Sequence, residues 1–148
     1  MKPEVDQVLR AALSTLLTEV APALADAYVR ANVEVIAALL AAAAEEYDRA
    51  AHVRVEENRS LRRIFAQYGR SVPEAGLRER LAAAAVEEDP SLHVSDLNAG
   101  NDRLRALLID LHALVENLDE EWARHANRAI WAELAASASR RALSVYPL

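Results

Sequence analysis

Three side chains of metal-binding types recur at helical spacing near the middle of the chain. Asp48, His52 and Glu56 follow one another at intervals of four residues, so a helix would place them on one face. Imidazole and carboxylate groups are ligands for zinc, iron and manganese. The same spacing is typical of a solvated acidic face, and the Glu-x-x-His pairs of di-iron bundles are absent. We adopt the second interpretation, predict no metal and no other cofactor, and keep these residues only as metal candidates.

A basic cluster overlaps this trio. Its four members are Arg54, Arg59, Arg62 and Arg63. Guanidinium groups pair bidentately with phosphate or carboxylate, so the cluster is a candidate binding site for an acyl or phosphate-bearing ligand. Glu56 and Glu57 lie within one helical turn, and they would neutralise the arginines in an ordinary surface network. Both interpretations stay open.

No residue pattern indicates catalysis. His112 and Glu116 are four residues apart, as are Glu121 and His125, which is typical of a histidine hydrogen-bonded to its helical neighbour. A histidine base also needs a nucleophile or a substrate pocket, and the sequence indicates neither. The three glycines are too far apart for a phosphate loop. We assign no catalytic residue and favour a non-catalytic protein, with an enzyme as the open alternative.

Composition narrows the classes of partner and compartment. The net charge of −6, with acids and bases interspersed, argues against nucleic acid as a partner. No basic leader is evident, and no apolar run reaches the roughly 20 residues of a membrane span. The absence of cysteine agrees with a reducing compartment. Sixteen arginines against one lysine suggest a GC-rich bacterial genome. We predict a cytoplasmic bacterial protein without membrane contact.

Helices must position these residues, because three glycines and five prolines are too few for the turns of a β fold. We predict one all-α domain over residues 1–148, a helical bundle of five or six helices with one or two long ones. The first runs from about Pro3 to about Val20 and is ended or kinked by Pro22. No glycine or proline interrupts residues 23–68. An a/d seam follows there, with members Val29, Val33, Ile36, Leu40, Ala43 and Tyr47.

This seam slips after Tyr47, where the apolar stripe resumes at Ala51 and Val55. Such a slip locally unwinds a supercoil, so we predict a kink or break between Ala50 and Val55. A short helix then begins at Ser71 or Pro73 and ends at Asp89-Pro90. The next keeps strict heptads from Val94 to Trp122.

Two asparagines fall on these seams, each three residues before a leucine. Asn58 precedes Leu61, and Asn101 precedes Leu104. A buried asparagine at an a position fixes register and partner number, whereas an exposed one has no special role. The interaction-seam candidates are Asn58, Asn101, Leu104, Leu108, Leu111 and Val115.

The first half of the chain resembles a family of small, uncharacterised all-helical bacterial proteins. They are encoded beside acyl-CoA dehydrogenases and aminoglycoside-phosphotransferase-like kinases. The matching residues are Pro22-Ala-Leu24, Ala31-Asn32 with Ile36, and Glu57-Asn58 with Leu61-Arg62. The resemblance implies a helical bundle, no established activity, and association with an acyl-CoA or kinase-like enzyme.

Together these observations favour a non-catalytic helical interaction protein. We predict that it forms a homodimer whose seams supply the contact surface, and that it is an accessory to an acyl-CoA or kinase-like enzyme. The alternative is a protein or enzyme that binds a small acyl or phosphate-bearing ligand between helices.

Overall fold

The structure is a computed structural model that describes residues 4–144. Its five longer helices are α1 (Val5–Thr15), α3 (Ala27–Tyr68), α4 (Ala75–Val86), α5 (Val94–Val115) and α6 (Glu121–Arg141). A π-helical segment (Leu16–Val20), a short α2 (Ala21–Ala23) and a 3₁₀ turn (Gly69–Ser71) complete the helical structure. Within the described range no strand occurs. The predicted all-α fold with one long helix is confirmed.

Pro22 disturbs the first helix in the way its chemistry requires. Proline has no N–H to donate to the carbonyl group four residues earlier, and the preceding residues Leu16–Val20 adopt π-helical hydrogen bonding. The backbone becomes extended at Leu24. Asp26 then caps α3, since its Oδ1 accepts hydrogen bonds from the N–H groups of Tyr28 at 2.8 Å and Val29 at 3.3 Å. The predicted start at Pro3 lies outside the described residues.

Helix α3 continues through the segment where we predict a kink or break. Residues 50–55 are helical without interruption, so the prediction of a break is wrong. The segment contains no glycine or proline, and its alanine and arginine residues are strong helix formers. When the heptad seam slips, the helix can bury a different face and still keep all its backbone hydrogen bonds.

The described chain forms two compact units. Unit 1 holds the described residues of Met1–Ala50 and Ala142–Leu148, and unit 2 holds Ala51–Arg141. The division falls between Ala50 and Ala51, at the position where the seam slips. The predicted single domain over 1–148 stays a prediction.

Unit 2 has a core of large apolar side chains from four helices and from Val72, which follows the 3₁₀ turn. Phe65, Leu81 and Ile130 are among its fully buried members. Gly69 allows a close approach of the chain to α4, because a Cβ atom there would lie 3.2 Å from Cβ of Leu81.

The heptad seam of α5 packs inside this core and not against another subunit. Its buried members are Leu104, Leu108, Leu111 and Val115, with Asn101 beside them and Asn58 facing from α3. A side chain enclosed by its own chain has little surface left to bury against a partner. Little of these side chains is therefore left for the intersubunit contact that their spacing predicts, and that role stays a prediction.

Unit 1 has no comparable core. Its buried side chains, within the described residues, are the alanines at 21, 37, 44 and 50. Of the predicted a/d seam, Val33 and Leu40 are half-buried, and the other members are exposed. An exposed surface of α3, here called the apolar stripe, consists of Tyr28, Val29, Val35, Ile36, Leu39 and Tyr47. Large apolar side chains in this unit thus remain open to solvent.

The helical stretch Ala27–Ser71 is long and apolar enough to cross a membrane by length and composition alone. This corrects the expectation that no stretch meets that requirement. Only 11% of the residues in its most apolar window are buried. The same composition occurs in soluble helices that pack against a partner, so the finding establishes an apolar segment of α3 with little burial and no particular environment.

Candidate functional site

A buried polar network occupies the middle of unit 2. Its members, here called the Glu57 network, are Glu57 and Asn58 of α3, Asn101 and Arg105 of α5, and Ser137 and Arg141 of α6. Glu57 is 1% exposed. Buried charges are costly unless they are paired and hydrogen-bonded, so each partner of Glu57 affects the stability of unit 2.

The Glu57 carboxylate is bound on both oxygens. Ser137 Oγ donates to Oε1 at 2.5 Å, and Arg141 donates to Oε1 from Nε at 2.8 Å and to Oε2 from Nη2. Arg105 Nη2 lies 3.6 Å from Oε1 and donates to Ser137 Oγ at 2.7 Å. Ser137 and Arg141 are four residues apart, so one face of α6 presents both to α3.

The two asparagines extend the network towards the loop before α5. Asn101 Nδ2 donates to Asn58 Oδ1 at 2.9 Å, and Asn58 Nδ2 donates to Asp89 Oδ1 at 2.9 Å and to the Leu97 carbonyl at 3.2 Å. Gly100 lies beside these contacts, and a Cβ atom there would make an ordinary van der Waals contact with Asn58 Nδ2 at 3.4 Å. Both asparagines are buried, as the register interpretation requires, and the register that they set is that of α3 against α5.

The surroundings of Glu57 and of Asp89 favour the ionised form of each carboxyl group. Burial raises the pKa of Glu57, but hydrogen bonds from Arg141 and Ser137 and the charges of Arg141 and Arg105 outweigh it, and the net pKa is lowered. The hydrogen bonds from Arg62 lower the pKa of Asp89 against burial, and the Asn58 amide assists them. A general base works best with a pKa near the working pH, so an enclosed carboxylate held ionised suits a structural role better than proton transfer.

Acid should therefore destabilise the fold. The folded pKa values of Glu57 and Asp89 lie below their ordinary values of 4.5 and 3.8, so the unfolded state binds more protons in this range. The stability contributed by the pairs is present above pH 4.5 and is lost as the pH falls through the folded pKa values. Urea unfolding followed by circular dichroism between pH 7 and pH 3 checks this. A Glu57→Gln variant should show a shallower decline, and equal slopes for the two proteins would contradict the assignment.

Each arginine of the predicted basic cluster has its own partner. Arg54 Nε donates to Asn98 Oδ1 at 2.8 Å, and the partners of Arg59 and Arg63 are Glu56 and Ser60. Arg62 binds Asp89 bidentately at 2.8 and 3.1 Å.

Only two arginines of that cluster line a common cavity. It has a volume of about 360 Å³ and holds Arg59 and Arg62 together with Glu88 and Asp89. The two carboxylates compete with any anionic ligand, so this geometry favours the surface-network interpretation over the ligand site.

The metal candidates do not form a cluster. His52 and Asp48 are exposed, and Glu56 pairs with Arg59 at 2.5 Å. Residues 4–144 contain no group of three or more His, Asp or Glu side chains able to hold a metal ion.

The other histidines make local contacts. His112 Nε2 lies 3.0 Å from Asn127 Oδ1 and 3.4 Å from Glu116 Oε1, and its ring meets Trp131 edge-on at 5.4 Å. His125 Nε2 lies 4.0 Å from Glu121 Oε1.

Sequence reasoning recognised the two asparagines of the Glu57 network and overlooked its centre. One signal was available: Glu57 lies four residues from both Val53 and Leu61, which are buried, so it shares the buried face of α3 in unit 2. Ser137 and Arg141 gave no such signal, because they come 80 and 84 residues later.

Comparisons with known proteins add no family to this geometry. No family model matches the chain, and neither the curated proteins nor the solved structures contain a match.

Proposed function

We propose that this protein is a non-catalytic helical interaction protein that forms a homodimer through the apolar stripe of α3. One observation carries the proposal. Unit 1 buries only alanines among its described residues, while large side chains of the apolar stripe are exposed: Tyr28 is 76% exposed and Leu39 is 57% exposed. Contiguous exposed apolar surface of this kind marks interaction sites.

The composition of the stripe favours a second copy of the chain as its partner. Tyr28, Asn32, Val35 and Leu39 follow steps of four, three and four, the spacing of a helix that pairs with another helix. Between residues 28 and 44 the helical spacing places Arg30 and Glu34 on the opposite side, so Asn32 is the one polar residue of this part of the face. Glu46, five helical turns after Tyr28, lies on the same face near the end of the stripe. In a self-complementary pairing, a misplaced asparagine would be buried without a partner, which fixes the register.

The stripe is also large enough for a dimer contact. Burying its six side chains would remove on the order of 600 Å² per chain from water, given roughly 150 to 250 Å² for each aromatic residue. A standard interface buries roughly 800 Å² per partner, so neighbouring positions of the same helix would complete it.

A lipid surface suits the stripe less well than a second copy. Residues 27–50 contain two arginines against four carboxylates, at 34, 45, 46 and 48. Helices that lie on membranes carry basic residues on their polar face, because anionic lipids repel carboxylates.

An accessory role towards an acyl-CoA or kinase-like enzyme extends the proposal. It depends only on the sequence resemblance of the first half of the chain. Such an enzyme would bind the dimer and not displace it, since the stripe is occupied by the second copy.

A charge placed in the stripe should dissociate the dimer. In Leu39→Glu the new carboxylate would be buried at the interface without a partner, and we expect the dimer dissociation constant to rise about 100-fold or more. The matched control is Ala31→Glu, which adds the same charge to an exposed position of the same helix outside the stripe. Light scattering on the eluting proteins measures the mass of each variant.

The comparison between the two variants decides the proposal. A monomeric Leu39→Glu beside a dimeric Ala31→Glu supports it. Equal masses for the two variants would overturn the stripe as the interface.

A further inference from the structure

A cavity in unit 2 combines apolar walls with two arginines. It has a volume of about 270 Å³ and lies where the end of α3 and the following turn face α4. Phe65 and the small side chains Ala66, Ala82 and Ala85 form its walls. Val86 at its edge is 80% exposed, so an apolar side chain beside the cavity is left uncovered by the chain.

The arginines of this cavity are not neutralised by the described chain. Arg70 makes no hydrogen bond or ion pair with any residue in the range 4–144. Arg78 uses Nη1 to donate to the carbonyl groups of Val72 at 2.9 Å and Pro73 at 3.2 Å, and it pairs with no carboxylate among the described residues. These two contacts fix the guanidinium at the cavity and leave its positive charge uncompensated.

The cavity at Arg70 differs from three other arginine-lined cavities because no carboxylate lines it. Three more cavities of the described chain contain arginines, and carboxylates line each of them: Glu88 and Asp89 in one, Glu87 in the next and Glu133 in the third. The cavity at Arg70 contains none. An anion that enters it meets two cations and no competing acid.

We propose that this cavity binds a small organic monocarboxylate with a hydrocarbon body. The apolar walls would enclose the hydrocarbon, and Arg70 and Arg78 would bind the carboxylate. Cavities for drug-sized ligands span roughly 300 to 1,000 Å³, so the size fits a molecule of about ten non-hydrogen atoms. The site lies in unit 2 and does not depend on the proposed dimer through unit 1.

Octanoate is a suitable probe, and amide chemical shifts report where it binds. Titration should shift the backbone amide signals of Gly69, Ala82 and Ala85 in a saturable way, and leave those around Glu57 unchanged. Acetate, which lacks the hydrocarbon, and 1-octanol, which lacks the charge, should each bind at least about tenfold more weakly. Absence of shifts at about 10 mM octanoate, or equal affinity for 1-octanol, would overturn the proposal.

Arg70→Gln tests the role of the charge without threatening the fold, because Arg70 is exposed. We expect octanoate to bind about tenfold more weakly, because one charge-assisted hydrogen bond is lost. The matched control is Arg80→Gln on α4, since Arg80 pairs with Asp110 outside this cavity. Equal affinities for the two variants would exclude Arg70 from the site. Ala85→Leu, checked for folding by circular dichroism, should abolish binding by filling the cavity.

Discussion

Replacing Glu57 with alanine is expected to lower the free energy of unfolding by about 3 to 5 kcal/mol, the usual cost of removing one partner from a buried ion pair. The substitution deletes the acceptor of Ser137 and Arg141 and the charge that faces Arg105. Glu57 is buried, so its removal leaves Ser137 and Arg141 without an acceptor where α3, α5 and α6 meet.

Urea unfolding at pH 7 and constant protein concentration measures this effect. Glu121→Ala is the matched control, since its side chain is 82% exposed, and we expect a change below about 0.5 kcal/mol. Glu57→Gln keeps the shape of the side chain, so its loss of unfolding free energy should lie between those of Glu57→Ala and Glu121→Ala. If Glu57→Ala unfolds at the urea concentration of the wild type, the Glu57 network is not what holds these three helices together.

Leu111→Ala is expected to cost about 2 to 5 kcal/mol of unfolding free energy, as for other leucines in closed cores. Leu111 is 0% exposed in the core of unit 2, so the substitution leaves a cavity that its neighbours only partly fill. Because this heptad seam packs inside the chain, the folded variant should keep the association state of the wild type.

Ile109 on the same helix provides the comparison. It is 68% exposed, and Ile109→Ala should change stability by less than about 0.5 kcal/mol. Thermal unfolding ranks the two variants, and light scattering at a temperature where both are folded reports their mass. If the Leu111→Ala variant is folded but no longer associates as the wild type does, the seam of α5 contributes to the contact between subunits after all.

Local patterns predicted the helices because helix formation follows from neighbouring residues. Pro22 marked the disturbed first helix. The heptads from Val94 predicted the start of α5, but the helix ends at Val115 and not at Trp122, where the heptads end. The predicted break between Ala50 and Val55 failed because the seam slip has two outcomes, a broken helix or a changed face. Which one occurs depends on the partners on each side, and the sequence of one segment does not contain them.

The site was less accessible from sequence than the fold. Spacing brings together residues on one helix, as for His112 and Glu116, but the Glu57 network joins three helices. The seams of α3 and α5 have the same period, and periodicity reports only that a face is apolar. Tertiary packing encloses Leu111 and leaves Leu39 exposed, so the proposed interaction surface lies on the first half of α3 and not on α5.

Sedimentation equilibrium of the wild-type chain over a range of concentrations tests the central claim most directly. The apolar stripe predicts a single species of twice the 16.2 kDa chain at about 100 µM, dissociating on dilution according to one dissociation constant. A mass of 16.2 kDa throughout that range would contradict the account, because the stripe would then be exposed in the free protein without a second copy to cover it.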